Sequence, residues 1–255
     1  MDLQKHLAIL KSDSCLALGS LMLLLCFLSG AVSAWAQVRV PTPLELTEIQ
    51  GRANAGDARA EHDLAELYKW GQGVKQDYAE AVKWYIRAAE QGDADSELNL
   101  GYAYLTGRGT KRSEKEAAKW LERAAEQGLS EAQSSIGYAY LYGKGVKKNA
   151  VAAARWYIRA ADQGDGNAML ALGSMYWFGQ GVSKDLVTAY MWLLLSEKFG
   201  SVETDLRKDP LFVDVPSTRH EVMRVMNDSE ISEAEELAEE WIARHPQLIS
   251  ANPQK

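Results

Sequence analysis

The sequence predicts an all-α fold, an α-solenoid of stacked antiparallel helix pairs. Two observations predict it: residues recur at a step of 36 positions without insertion, and each unit contains two helical segments separated by glycines. The tryptophans that keep the step are Trp84, Trp120, Trp156 and Trp192. A pair of helices of about 12 residues cannot bury its apolar face alone, so stacked neighbours must complete the core.

The predicted domain organisation follows the period. Residues 37–56 form a linker and an N-terminal capping half-repeat, four repeats follow, and residues 201–255 form a C-terminal loop and capping helix. The four repeats are 57–92, 93–128, 129–164 and 165–200. The stretch 201–216 has no repeat pattern and carries two prolines, so we expect a loop or a short turn there.

Capping residues predict where the helices of each unit begin, because their side-chain oxygens accept a backbone N–H of the first turn. Those that open the second helix are Asp77, Ser113, Asn149 and Asp185. Those that open the first helix are Asp57, Asp93 and Asp165. The third repeat has Leu129 at this position, which cannot cap, and we expect Ser130 to replace it.

The two ends of the array carry helix start signals of their own. Thr42, followed by a proline and then by Glu45, predicts a capped helix that runs to Gly56. Asn227 with Glu230 predicts the start of the C-terminal helix.

Residues 1–36 have the pattern of a secretory signal peptide, with a weakly basic start, an apolar stretch over 15–32 and small residues at 34 and 36. We expect cleavage between Ala36 and Gln37, which would place the mature chain in the periplasm or outside the cell. The alternative is a retained membrane anchor, since the apolar stretch stands at the lower edge of a spanning length.

Composition excludes several functional classes. The 255 residues include 28 Lys and Arg against 35 Asp and Glu, for a net charge of −7. This balance argues against a general nucleic-acid binder, which needs a basic face for phosphates. Cys15 and Cys26 are the only cysteines, which excludes a disulfide-rich scaffold. Both precede the expected cleavage site, so packing alone would stabilise the mature chain.

Segments 132–146 (AQSSIGYAYLYGKGV) and 153–164 (AARWYIRAADQG) resemble the Sel1-like repeat, a relative of the tetratricopeptide repeat. The resemblance covers all four units. The departures from the motif are Ala65 for glycine, Thr110 for valine, and Ser196-Glu197 for Ala-Ala. It implies that the first helices line a concave groove. It also implies a non-enzymatic role in envelope regulation, assembly or host interaction.

No motif in the sequence predicts catalysis, a metal site or a cofactor. The mature histidines are His62, His220 and His245, and none stands three or four residues from another histidine. We expect each to be a surface residue on a helix. A G-x-S-x-G nucleophile motif is absent, and the G-x-G turns follow helices rather than strands and lack the phosphate-loop pattern. The periodic tryptophans are predicted to be core residues rather than a sugar-binding ladder, because they share a face with small alanines.

The candidate binding residues are aromatic side chains between the core positions of the first helices. Tyrosine and tryptophan give large contact area at little entropic cost, which suits a surface that binds a protein or peptide. The candidate groove residues are Trp70, Tyr102, Tyr138, Tyr142, Trp177 and Phe178. The alternative is that some of these rings pack between neighbouring first helices.

We therefore expect a non-enzymatic exported scaffold or adaptor that binds a protein or peptide partner in its groove, with no nucleic acid bound and no stable membrane insertion after cleavage. One alternative is a module that binds a glycan or cell-wall fragment on the aromatic strip. Another is the weak hydrolase activity claimed for some cysteine-rich relatives, which the missing cysteines and missing catalytic triad disfavour.

Overall fold

The structure, a computed structural model, describes residues 40–200 and 215–250. Within these residues it contains twelve α-helices and no strand. The predicted signal peptide and most of the stretch 201–216 lie outside the described residues. The helices all fall within one compact unit, Thr42–Lys255. The all-α prediction is confirmed.

The helices follow the predicted alternation. Helix α1 (Pro43–Asn54) precedes four pairs, each made of a first and a second helix. The first helices are α2 (Ala58–Trp70), α4 (Ala94–Thr106), α6 (Ser130–Tyr142) and α8 (Gly166–Phe178). The second helices are α3 (Tyr78–Glu90), α5 (Glu114–Glu126), α7 (Ala150–Ala161) and α9 (Leu186–Phe199). The C-terminal helices are α10 (Val215–Met223), α11 (Asp228–Arg244) and α12 (Pro246–Ser250).

The chain reverses direction within each pair through a turn that starts on a left-handed glycine, such as Gly71 at φ 70°. The residue that caps the second helix then donates its backbone N–H to the last turn of the first helix. Asp77 N lies 2.9 Å from Tyr68 O, and Asn149 N lies 2.8 Å from Tyr140 O. This hydrogen bond, present in all four repeats, makes the paired helices antiparallel.

Close approach between the two helices of a pair depends on missing side chains. A Cβ on Gly101 would lie 2.7 Å from Leu121 Cγ, and one on Gly173 would lie 2.8 Å from Leu193 Cγ. Both distances are shorter than a van der Waals contact. The glycine of the repeat motif therefore lets the second helix pack directly against the first.

Neighbouring repeats are joined by a second close approach. A Cβ on Gly109 would lie 2.0 Å from the carbonyl oxygen of Tyr78, and one on Gly145 would lie 2.0 Å from that of Glu114. The turns of the second, third and fourth repeats thus rest on the first residue of the preceding second helix. This contact places successive turns side by side.

The predicted capping residues are confirmed with one exception. The capping boxes of Thr42 with Glu45 and of Asn227 with Glu230 are both present. The third first helix begins at Ser130 with Leu129 as its N-cap, and no side chain accepts a capping hydrogen bond there. The expectation that Ser130 takes over as the cap is therefore wrong. The predicted loop 201–216 is too long at its end, because α10 already begins at Val215.

The core is made mainly of alanine and leucine from both helices of each pair. The core prediction is confirmed for Trp120 and Trp192, each 7% exposed. Trp84 and Trp156 are only half-buried. Each has an arginine over its ring, which shields the outer face from solvent. No helix among the described residues has the length and apolar character needed to cross a bilayer.

Candidate functional site

Polar side chains join neighbouring first helices on the face that carries the candidate residues. His62 Nδ1 of α2 lies 2.9 Å from Ser96 Oγ of α4, and Lys69 Nζ donates to Asn99 Oδ1 at 2.8 Å. Tyr102 of α4 lies 2.9 Å, hydroxyl to Oγ, from Ser135 of α6. These bonds span one repeat each. They fix the spacing of three successive first helices.

Trp70 is the most exposed of the six candidate residues, with 59% of its surface in solvent. Its indole N–H donates to Glu66 Oε2 at 2.8 Å, and Lys69 Nζ lies 5.1 Å from the ring centroid. Glu66 also accepts from the hydroxyl of Tyr85. Burial acts to raise the pKa of Glu66, but the hydrogen bonds from Tyr85 and Lys69 outweigh it and lower that pKa. The ionised carboxylate thus holds an exposed aromatic ring in one orientation.

Tyr102 is half-buried, in line with the alternative that some rings pack between first helices. Burial raises the pKa of its hydroxyl, which therefore stays neutral and hydrogen-bonded to Ser135.

The third first helix brings two candidates together. The rings of Tyr138 and Tyr142 lie 4.5 Å apart between centroids at an interplanar angle of 49°. Both are half-buried and pack against the core cluster that contains Leu141 and Tyr157. One side of the pair is thus structural, and the other remains in solvent.

The fourth first helix ends in the other close pair. The rings of Trp177 and Phe178 meet edge to face at 6.2 Å between centroids. Trp177 packs against the C-terminal core, with Lys184 Nζ 5.3 Å from its ring centroid. Phe178 is 56% exposed. The structure therefore forms two pairs from the six candidates, while Trp70 and Tyr102 stand apart on α2 and α4.

The prediction that His62, His220 and His245 are surface residues is wrong for His62, which is 7% exposed. It lies between Ser96 and the capping carboxylate of Asp93, whose Oδ1 is 3.3 Å from His62 Nδ1. His245 is half-buried with its ring stacked on Trp241 at 3.9 Å between centroids. Among the described residues no group of three His, Cys, Asp or Glu side chains has the arrangement to hold a metal ion.

A buried ionic network in the first two repeats was not predicted from the sequence. Glu61 of α2 is 1% exposed, and its Oε1 lies 2.6 Å from Arg87 Nη2 of α3. Gln91 donates to the other carboxylate oxygen at 2.7 Å. Arg87 also donates to the carbonyl oxygen of Ala53, at the end of α1. The network therefore connects three helices, and its signal was a glutamate and an arginine that recur at the period of 36.

The same network recurs one repeat later with Glu97, Arg123 and Gln127, and with Ala89 as the carbonyl acceptor. Burial raises the pKa of Glu97 above its ordinary value, although Gln127 and Arg123 act in the other direction. The carboxylate is held in the core at an electrostatic cost.

The third and fourth repeats replace this network. Gln133 stands at the glutamate position and donates directly to the carbonyl oxygen of Ala125, while Gln163 donates to Gln133 Oε1 at 2.8 Å. In the fourth repeat Met169, Leu195 and Phe199 occupy the three positions. These are apolar and belong to, or pack against, the C-terminal core cluster.

The family model of the Sel1 repeat matches residues 58–93, 94–129, 130–165 and 166–197. A solved structure of c5321, a protective antigen of uropathogenic Escherichia coli with an SLR fold, is 32% identical with a TM-score of 0.68. That match covers 84% of this chain and 44% of c5321.

A Sel1 repeat protein from Oxalobacter formigenes is 34% identical with a TM-score of 0.59, over 71% of this chain and 76% of that protein. No curated protein matches the chain. With four matched repeats that span more than half of its length, the chain belongs to the Sel1-repeat family, whose members generally act as non-enzymatic scaffolds for protein–protein interaction.

Proposed function

We propose that this protein is a non-enzymatic exported scaffold that binds a protein or peptide partner on the face formed by its first helices. The observation that carries the proposal is the pair of exposed aromatic residues at the two ends of this face, Trp70 and Phe178. Each ring is oriented by a neighbour: the first by Glu66, the second by Trp177. Exposed and oriented aromatic residues are typical anchors of protein interfaces.

Preorganisation supports the same proposal. The hydrogen bonds His62–Ser96, Lys69–Asn99 and Tyr102–Ser135 hold neighbouring first helices together before any partner arrives. A rigid surface loses less conformational entropy on binding, so a modest apolar contact area gives useful affinity.

Export is proposed from the N-terminal pattern alone. Residues 1–36 carry the signal-peptide pattern, and cleavage after Ala36 would remove both cysteines. A periplasmic or secreted location follows. Intact-mass measurement of the protein isolated from its own cell envelope would test this, with a mature N-terminus at Gln37 as the expected result. A chain that keeps Met1 would overturn it in favour of a membrane anchor.

The binding proposal is tested by crosslinking in intact cells followed by capture of the scaffold. The test variant is Trp70→Ala combined with Phe178→Ala, which removes the two anchors with little loss of buried area. The matched control is Ile158→Ala combined with Val225→Ala, because these exposed residues lie outside the first helices. We expect a crosslinked protein that the wild type and the control capture and the test variant does not.

Equal capture by all three proteins would overturn the proposed face. Retention on cell-wall polysaccharide, abolished by Trp70→Ala with Phe178→Ala, would overturn the protein partner in favour of a glycan. Circular dichroism of each variant checks that the helical fold is kept, so that a loss of capture reports on the surface.

A further inference from the structure

The four turns that join first to second helices lie along one edge of the array. They are 71–77, 107–113, 143–149 and 179–185, and we call them the loop edge. The turns of repeats 2 and 3 rest on the first residue of the preceding second helix, as Gly109 does on Tyr78 and Gly145 on Glu114. That first residue directly follows the preceding turn, so the loops form a continuous row.

The loop edge is basic on an acidic protein. Its four turns carry eight Lys and Arg against two Asp, and all eight cationic side chains are exposed. Among the described residues the only one paired with a carboxylate is Arg112, at 3.3 Å from Glu114. The eight residues are Lys75, Arg108, Lys111, Arg112, Lys144, Lys147, Lys148 and Lys184.

The opposite ends of the helices have the reverse charge. The segments that connect one repeat to the next, taken with the adjoining helix ends as 90–95, 126–131 and 162–167, contain seven Asp and Glu and no Lys or Arg. The array is therefore polarised from a basic edge to an acidic edge, across the length of its helices.

Exposed apolar side chains border the same basic edge. Trp70 precedes the first turn and Phe178 the fourth, while Tyr78 and Val151 lie in the first turn of second helices. Tyr78 is 37% and Val151 51% exposed. The exposed large apolar side chains of the described residues include three aromatic ones, Trp70, Tyr78 and Phe178. All three border the loop edge.

We propose that the loop edge docks on an anionic lipid surface. Basic side chains interleaved with exposed aromatic ones suit the headgroup layer of a bilayer, where cations meet phosphates and rings enter the interface. A layer of anionic headgroups contacts all four turns at once, whatever their spacing. An acidic peptide would instead need carboxylates at the interval of the repeats. The docking surface borders the first-helix face at Trp70 and Phe178, but its basic turns lie outside the first helices.

The test measures cosedimentation of the chain from Gln37 to Lys255, which contains the whole compact unit, with lipid vesicles. One vesicle population is phosphatidylcholine alone, and the other has about 30% phosphatidylglycerol added. We expect binding to the anionic vesicles only, weakened by raising NaCl from about 0.05 M to about 0.3 M. Equal binding to both vesicles, or binding to neither, would overturn the proposal.

A charge-matched pair of variants assigns the binding to the loop edge. The test variant replaces three lysines of the two central turns by glutamine: Lys111, Lys147 and Lys148. The control replaces three exposed cations at one equivalent position of the second helices by glutamine: Lys83, Lys119 and Arg155. Each lysine near an anionic surface supplies about 1 kcal/mol, so we expect roughly hundredfold weaker binding for the test variant. We expect less than about threefold for the control.

Two further results separate this proposal from other occupants and from the proposed function. Tyr78→Ala with Val151→Ala should weaken vesicle binding while partner capture stays intact, because neither residue lies on a first helix. Equal losses in the two charge variants would mean that net charge alone drives the binding, and would overturn the loop edge. A salt-sensitive oligomer without vesicles, dissolved by the test variant, would assign the edge to a second copy and overturn the lipid surface.

Discussion

The first two repeats and the fourth repeat fill equivalent core positions with different side chains, which are ionic or polar in the first two and apolar in the fourth. At three equivalent positions the second repeat has Glu97, Arg123 and Gln127, whereas the fourth has Met169, Leu195 and Phe199. Both repeats pair a first helix with an antiparallel second helix. The difference is the neighbour, because α11 covers the fourth repeat with Trp241, whose ring meets Phe199 at 5.6 Å between centroids. Where α11 covers the site the three side chains are apolar. In the first two repeats a buried glutamate pairs with an arginine that reaches solvent.

The largest expected effect comes from placing the glutamate of the early repeats in the fourth one. Met169→Glu buries a carboxylate at a fully buried site where leucine has replaced the arginine. We expect a loss of more than about 4 kcal/mol in the free energy of unfolding. Met169→Leu, which keeps the volume, should cost less than about 1.5 kcal/mol. Urea unfolding followed by circular dichroism measures both, and equal costs would contradict the proposed dependence on the neighbour.

The next effect sharpens the comparison between the second and third repeats. Arg123 and Arg159 both lie over a tryptophan ring, but Arg123 also pairs with buried Glu97, where the third repeat has Gln133. Arg123→Met leaves a buried charge unpaired and should cost roughly 3–5 kcal/mol.

Among the described residues Arg159→Met loses only the ring contact, and it should cost about 0.5–1 kcal/mol. Similar losses for the two variants in the same urea titration would show that the ion pair adds no stability beyond that of the arginine–tryptophan contact.

A smaller effect depends on pH. The pKa of Glu97 is raised in the fold, so the folded protein favours the protonated carboxyl. The contribution of this group to stability is present below its unfolded pKa and is lost as the pH rises through the raised folded pKa. The stability of Glu97→Gln relative to the wild type should therefore be greater at pH 7 than at pH 4. Gln133→Glu, the reverse exchange one repeat later, should shift the pH dependence in the opposite direction. Unfolding curves at the two pH values measure both, and a pH-independent difference would contradict the assignment.

The smallest expected effect concerns the bonds between first helices. Tyr102→Phe removes the hydroxyl that meets Ser135 and should cost about 1 kcal/mol. Tyr104→Phe is the matched control, because its hydroxyl has no hydrogen bond among the described residues, and it should stay within about 0.5 kcal/mol. Hydrogen exchange would show faster opening of α6 in the first variant. Identical exchange in both would contradict a role for this bond in fixing the helices.

The sequence predicted the repeat, the helix pairs and nearly every cap, because glycines and capping residues act through the local backbone. It did not predict the network of Glu61 with Arg87, since a charged residue on a helix is expected to face water. Its burial depends on a partner 26 positions away in a neighbouring helix. His62 was missed for the same reason, because Ser96 and Asp93 lie in the next repeat.

The sequence was sufficient to predict which helices carry the candidate residues, but not how far each of their side chains is exposed to solvent. Periodicity places Trp70, Tyr102 and Phe178 on the first helices. It does not distinguish the half-buried ring of Tyr102 from the exposed ones, because that depends on what the adjacent helix presents. The hydroxyl of Ser135 forms a hydrogen bond with that of Tyr102, and the ring of Trp177 meets that of Phe178 edge to face.

The turn glycines that rest on the preceding second helix have a consequence for how such a chain lengthens. Gly109 and Gly145 make the same contact between repeats, which we call the joint, each against a carbonyl oxygen at the start of a second helix. A duplicated unit of 36 residues inserted between the second and third repeats would meet this joint on both sides and need no new interface. A unit added after the fourth repeat would have to displace α11 and cover Met169 and Leu195 itself. Gene duplication can therefore lengthen this array from within, while its C-terminal end stays fixed.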